Sequence, residues 1–277
     1  MFKYMKYEVR GTYRYILGVL SLVLILTTAL YIYFNRVTNT SSEMSALEGI
    51  FIGLSVLILF GTALATFLYI VGSFRKELYE DTGYLTFTLP LTGNQIVGSK
   101  LVVALIWFIF LGVVIGLYNL IMMLIFVPVE VNFSELFSAL FEIVNIKQIL
   151  FSVLLIILSI VNILVIIYFS MTISRVTFRN KRIGGLWFIL FLVLSGLIIY
   201  GGVKISEIFP YYIDINTFKI GTMDTLDKLY MEINDDIVLS ADMDILTTNI
   251  ASTVYMIIVT VLLFLGTGYL VEKKIDL

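Results

Sequence analysis

Three carboxylates and a phenol crowd one short stretch of this chain: Glu77, Tyr79, Glu80 and Asp81, followed closely by Gly83 and Tyr84. They open a 26-residue polar segment, Arg75–Lys100, set between two strongly apolar runs. Charge and an aromatic on one exposed turn, with Gly83 able to stop the helix, suit a contact with another protein. The bland alternative is a solvated loop. Further on, Gly93–Lys100 comes close to a nucleotide-binding loop. That loop needs G-x-x-x-x-G-K-[ST], with Lys directly after the second Gly and a hydroxyl next to hold magnesium. Here the order is Gly98-Ser99-Lys100, with an apolar run after it. The sequence therefore predicts no ATP site, and no cofactor, on this chain.

The chain contains neither His nor Cys. That excludes disulfides, thiolate zinc sites, a Ser-His-Asp triad and an HExxH metalloprotease. Carboxylates gather in the stretch 204–248, among them Asp224, Asp227, Asp235, Asp236, Asp242 and Asp244. The D-x-[DN]-x-[DN]-G spacing of a calcium loop is missing, so a solvated acidic face is expected there and no metal. Net charge is -2, which gives no sign of nucleic-acid binding.

The elements that must position these residues are membrane helices. Hydrophobic residues make up 60% of the 277 and charged ones 14%, against about 25% charged in soluble domains. Mean hydropathy is +1.03. A bilayer core of about 30 Å needs about 20 apolar helical residues, and six runs qualify: Tyr15–Phe34, Gly49–Phe74, Leu101–Val127, Gln148–Ser174, Ile183–Val203 and Asn249–Val271. The expected fold is an all-α polytopic membrane protein forming a single permease-like domain. The three prolines, Pro90, Pro128 and Pro210, all fall in connections. Ahead of the first run, Phe2, Met5, Val9 and Tyr13 recur at helical spacing beside a stripe of Lys3, Lys6, Arg10 and Arg14. This pattern predicts a helix over 1–14 lying on the membrane surface, because the following run is too long for a signal-peptide core.

Thirteen of the 18 basic residues fall with the termini, with 75–100 and with Arg175–Arg182. The positive-inside rule then places those parts in the cytoplasm and 204–248 outside. Ionisable groups are nearly absent from the runs, which argues against a proton-coupled carrier. The deep polar side chains are amides and hydroxyls, notably Asn119 and Asn162. These two are candidates for a substrate path, although interhelical hydrogen bonds are the favoured role. Gly49/Gly53, Gly61/Ala65 and Gly112/Gly116 have the small-xxx-small spacing that allows close helix approach, within the chain or against a partner.

With these residues in view, the chain resembles the six-span permease subunits of bacterial ATP-binding-cassette exporters, of the type-two superfamily with G-type (type V) architecture. The layout covers the whole chain. The more specific part is Glu80-Asp81-Thr82-Gly83-Tyr84-Leu85-Thr86-Phe87-Thr88-Leu89-Pro90-Leu91-Thr92, with Ser99-Lys100-Leu101 after it. The resemblance implies a plasma-membrane exporter of amphipathic peptides, antibiotics or lipids. Two separate ATPase subunits would hold ATP and magnesium, and a second permease chain, identical or a sister, would complete the path. Coupling to the ATPases would fall on Glu77, Tyr79, Glu80, Asp81, Gly83 and Tyr84. The competing expectation is a polytopic anchor that transports nothing and recruits a cytoplasmic partner.

Overall fold

The computed structural model describes residues 1–38, 44–79, 90–126, 146–177, 185–214, 218, 220–222 and 247–274. Six helices carry the chain: α1 (Phe2–Thr38), α2 (Met44–Tyr79), α3 (Gly93–Phe126), α4 (Ile146–Thr177), α5 (Leu186–Ile208) and α6 (Ile250–Lys273). All six are long and apolar enough to cross a bilayer, which is consistent with a multi-pass membrane protein. In lipid a spanning segment must satisfy its own backbone groups, and an uninterrupted helix does so. At 1.5 Å per residue, α1 to α4 measure about 48–55 Å, well beyond a hydrocarbon core of about 30 Å. Their ends must therefore project into the headgroup region or beyond. Pro90 lies three residues before α3 and Pro210 two residues after α5, so neither interrupts a helix.

The chain divides into two compact units, residues Met1–Val131 with Val271–Leu277, and residues Asn132–Leu270. In the first, α1 packs along both α2 and α3. Its core is a ladder of Ile16, Leu20 and Val23 from α1 against Val103, Trp107, Leu111 and Ile115 from α3. Both sets recur every three or four residues, the spacing that brings side chains to one helix face. Residues 1–14 are the opening turns of α1, continuous with the span, and not an element set apart from it. Of the apolar stripe expected to face the membrane surface, Met5, Val9 and Tyr13 instead pack against this core. The Lys3, Lys6, Arg10 and Arg14 stripe is exposed.

The start of α3 has a local cause in sequence. Thr92 and Gln95 form a reciprocal capping box: the Gln95 N–H donates to Thr92 Oγ1 (3.3 Å) and the Thr92 N–H to Gln95 Oε1 (3.2 Å). Glu272, from the end of the chain, accepts the Gly93 N–H at 3.0 Å and places a carboxylate on the positive end of the helix. Gly93–Lys100, the near-match to a nucleotide loop, is therefore the first two turns of a capped helix.

In the second unit α4 and α5 pack together, and α6 closes on both. A Cβ on Gly202 would lie 3.1 Å from Ser252 Oγ, and one on Gly266 3.2 Å from a Phe169 ring carbon. Close approach thus falls at glycines other than those the spacing singled out. Beside Gly53, Gly61, Gly112 and Gly116 an added Cβ meets nothing within 4 Å, so these small-residue faces pack against nothing in the described chain.

The all-α expectation needs one correction. A three-stranded antiparallel sheet, ordered β2-β1-β3, links α5 to α6 and comprises β1 (Tyr211–Asp214), β2 (Ile220–Thr222) and β3 (Thr247–Asn249). Tyr212 pairs with Gly221 on one side and Asn249 on the other. Aromatic and β-branched residues after a helix-ending proline favour this outcome. The helix also runs on past Lys204, expected as the start of the loop, to Ile208. The acidic stretch from Asp224 to Asp244 lies outside the described residues.

Asn249 joins strand to helix. Its Oδ1 accepts the Ser252 N–H (2.8 Å) as the N-cap of α6, while its Nδ2 donates to the Phe209 carbonyl (2.9 Å) at the end of α5. Asn249→Ala is expected to lower stability by about 1–2 kcal/mol, read as a lower midpoint of thermal unfolding in detergent micelles. Asn249→Ser keeps a capping oxygen and is expected to lose less. An unchanged midpoint for Asn249→Ala would show that the cap contributes nothing.

Candidate functional site

The chemistry of the first unit gathers where α1, α2 and α3 come together beyond their apolar stretches. Lys100 is almost fully buried, its side chain 4% exposed. Its Nζ lies 2.9 Å from Glu8 Oε1 on α1 and 3.0 Å from Glu77 Oε1 on α2. The Tyr4 hydroxyl donates to both oxygens of Glu77, at 3.3 and 3.2 Å. One ammonium thus bridges two carboxylates from two other helices, and a buried phenol closes the set.

Packing holds each member in place. On α2, Ile70, Phe74 and Leu78 form a buried stripe beside Glu77. On α1, Tyr4, Glu8, Thr12 and Ile16 follow one another at intervals of four, so the cluster continues directly into the apolar core. One turn along, the Trp107 indole N–H donates to Thr12 Oγ1 at 2.8 Å. Deeper still, the hydroxyls of Thr28 and Tyr118 hydrogen-bond. α1 and α3 are therefore joined by an ion pair, an indole–hydroxyl bond and a hydroxyl–hydroxyl bond along one seam. Such bonds are short-range and directional, and in lipid they add to van der Waals packing as the means of fixing helix register.

Glu77 was expected on an exposed coupling turn. It is instead about five-sixths buried and committed to Lys100 and Tyr4. Tyr79 is the last residue of α2 and half-buried. Glu80, Asp81, Gly83 and Tyr84 lie outside the described residues. Asn119 donates to the Ile115 carbonyl of its own helix at 2.9 Å. Asn162, nearly buried, donates to Thr260 Oγ1 on α6 at 2.7 Å. The latter is the interhelical bond favoured from sequence. One of the two asparagines lies in each compact unit.

Tyr4, Glu8 and Lys100 escaped sequence reasoning. Glu8 is the only acid among the first 42 residues and stands between Lys6 and Arg10, where it reads as part of a solvated charged face. The usable signal was its register with Tyr4, Thr12 and Ile16. Beside the cluster, a groove of about 450 Å³ opens between α1 and α2, bordered by Glu8, Gly11, Thr12, Tyr69, Gly72 and Lys76. The place a divalent cation would take between Glu8 and Glu77 is filled by the Lys100 ammonium. Among the described residues no group of three His, Cys, Asp or Glu could hold a metal. A lysine held between carboxylates of two other helices ties the three helices together.

Fold and site together define a polytopic helical membrane protein whose first three helices are clamped by a buried charge cluster near one end. No family model, curated protein or solved structure matches the chain.

Proposed function

We propose that the chain is the membrane-spanning permease subunit of an ATP-driven exporter in the bacterial plasma membrane, with both termini in the cytoplasm. Two separate ATPase subunits would dock on its cytoplasmic loops and hold the ATP and magnesium. A second permease chain would complete the path for an amphipathic peptide, antibiotic or lipid. The observation that carries this reading is the 3.0 Å ion pair between Glu77 and Lys100. These two residues stand at the beginning and end of the segment Arg75–Lys100. A protein moving that segment would move α2 and α3 together, and through Glu8 it would carry α1 with them. A loop with no mechanical duty gains little from a buried charge clamp at its base, because desolvating the ions offsets much of their attraction. Glu77 then belongs to the transmission, and the docking residues are Glu80 and Asp81.

The test is purification of the full chain from its native membrane, with an ATPase assay of what comes with it. An ATPase in equal amount is expected, and Glu80→Ala with Asp81→Ala should remove it while the chain stays folded. Glu77 is left intact in this variant because its loss would disturb the clamp. If the chain comes down alone, or with a partner that hydrolyses no ATP, the reading fails and a recruiting anchor takes its place.

A further inference from the structure

We infer that the face of α1 bearing Lys6, Arg10 and Arg14 is a binding site for an anionic phospholipid, its phosphate held by these cations. Among the described residues the charge on this face is uncompensated. Lys3, Lys6, Arg10 and Arg14 are all exposed, and the described carboxylates nearby, Glu8 and Glu77, are both taken by Lys100. Among the described residues, none of the four makes an ion pair. Arg14 is also pre-positioned. Its Nε donates to the Tyr13 hydroxyl at 3.1 Å and its guanidinium lies 5.8 Å from the centre of that ring. Lys6, Arg10 and Arg14, with Val9 and Tyr13, border a concave surface of about 520 Å³. Guanidinium and ammonium groups converging on a concavity are the donor set for a phosphate.

The rest of the face decides which phosphate. From Arg14 it continues at helical spacing through Leu17, Ser21 and Ile25, all exposed. Beside Gly18 an added Cβ would meet nothing within 4 Å. The surface is cationic at one end and apolar at the other, with open backbone between. This matches a glycerophospholipid, whose acyl chain would lie along Leu17 and Ile25. A free phosphate or a nucleic acid has no use for the apolar half. Basic clusters at the edge of a membrane helix attract anionic lipid in this way.

The test is native mass spectrometry of the purified full chain, released from micelles containing equal phosphatidylglycerol and phosphatidylcholine. Wild type is expected to retain phosphatidylglycerol preferentially. At about fivefold per charge removed, K6Q/R10Q/R14Q is expected to lower that retention about a hundredfold. The charge-preserving K6R/R10K/R14K is expected to retain it, as is K204Q, which removes an exposed cation elsewhere. Equal retention of the two lipids, a preference that survives the triple Gln variant, or displacement by an equal concentration of inorganic phosphate would each overturn the inference. Lipid is offered to the whole molecule, so the outcome depends on neither the orientation nor the transport reading proposed above.

Discussion

Lys100→Met is expected to destabilise the chain by about 3–5 kcal/mol, seen as a large fall in the thermal unfolding midpoint in detergent micelles. The cost lies less in the attraction lost than in what remains behind. Glu8 and Glu77, with side chains only 12% and 16% exposed, would face each other with no cation between them. Like charges that close, away from water, repel strongly. Removing the charges as well, in Lys100→Met with Glu8→Gln and Glu77→Gln, is expected to restore most of the loss, because a neutral polar cluster has little left to desolvate. A Lys100→Met chain that melts with wild type would mean the cluster is well hydrated, and the clamp between α2 and α3 would lose its physical basis.

Trp107→Ala is expected to cost about 3–5 kcal/mol, in the range seen when a large buried aromatic is truncated. Trp107 sits between the charge cluster and the apolar ladder, packed with Ile16 and Leu20 of α1 and Leu111 of its own helix. In lipid the loss is one of dispersion contacts and of register, since the cavity would lie on the seam itself. Trp107→Phe separates the contributions. It keeps most of the volume and removes only the indole N–H bonded to Thr12, for an expected loss of about 1 kcal/mol. If both variants lost the same amount, the hydrogen bond and not the packing would govern the α1–α3 contact.

Much of the architecture was legible in the residues. The six apolar runs became helices because length and apolarity are properties of a single segment, and a segment in lipid must close its own hydrogen bonds. The start of α3 is set just as locally, by Thr92 and Gln95 meeting within one turn, although the apolar run marked it only from Leu101. The strands at Tyr211 and Thr247 were missed for the opposite reason. They are three or four residues long and exist only through pairing, so neither carries a periodic signal of its own. The 1–14 stripe was read as membrane-facing because periodicity reports that a face is apolar and does not say what covers it. Its Met5, Val9 and Tyr13 are partly buried against the α1–α3 core.

The cluster marks the same boundary most sharply. Sequence established a helical, multi-pass chain without His or Cys, with its basic residues gathered to one set of connections. It placed Glu77 on a docking turn and Lys100 at the mouth of a span, and left Glu8 unassigned. Bringing both carboxylates within 3.0 Å of Lys100 takes contacts across 92 positions of chain from Glu8 and 23 from Glu77. Burial turns those ordinary surface residues into a clamp, and burial depends on which helices pack together. Helix formation is decided by near neighbours in sequence; a buried ion pair is decided by the fold.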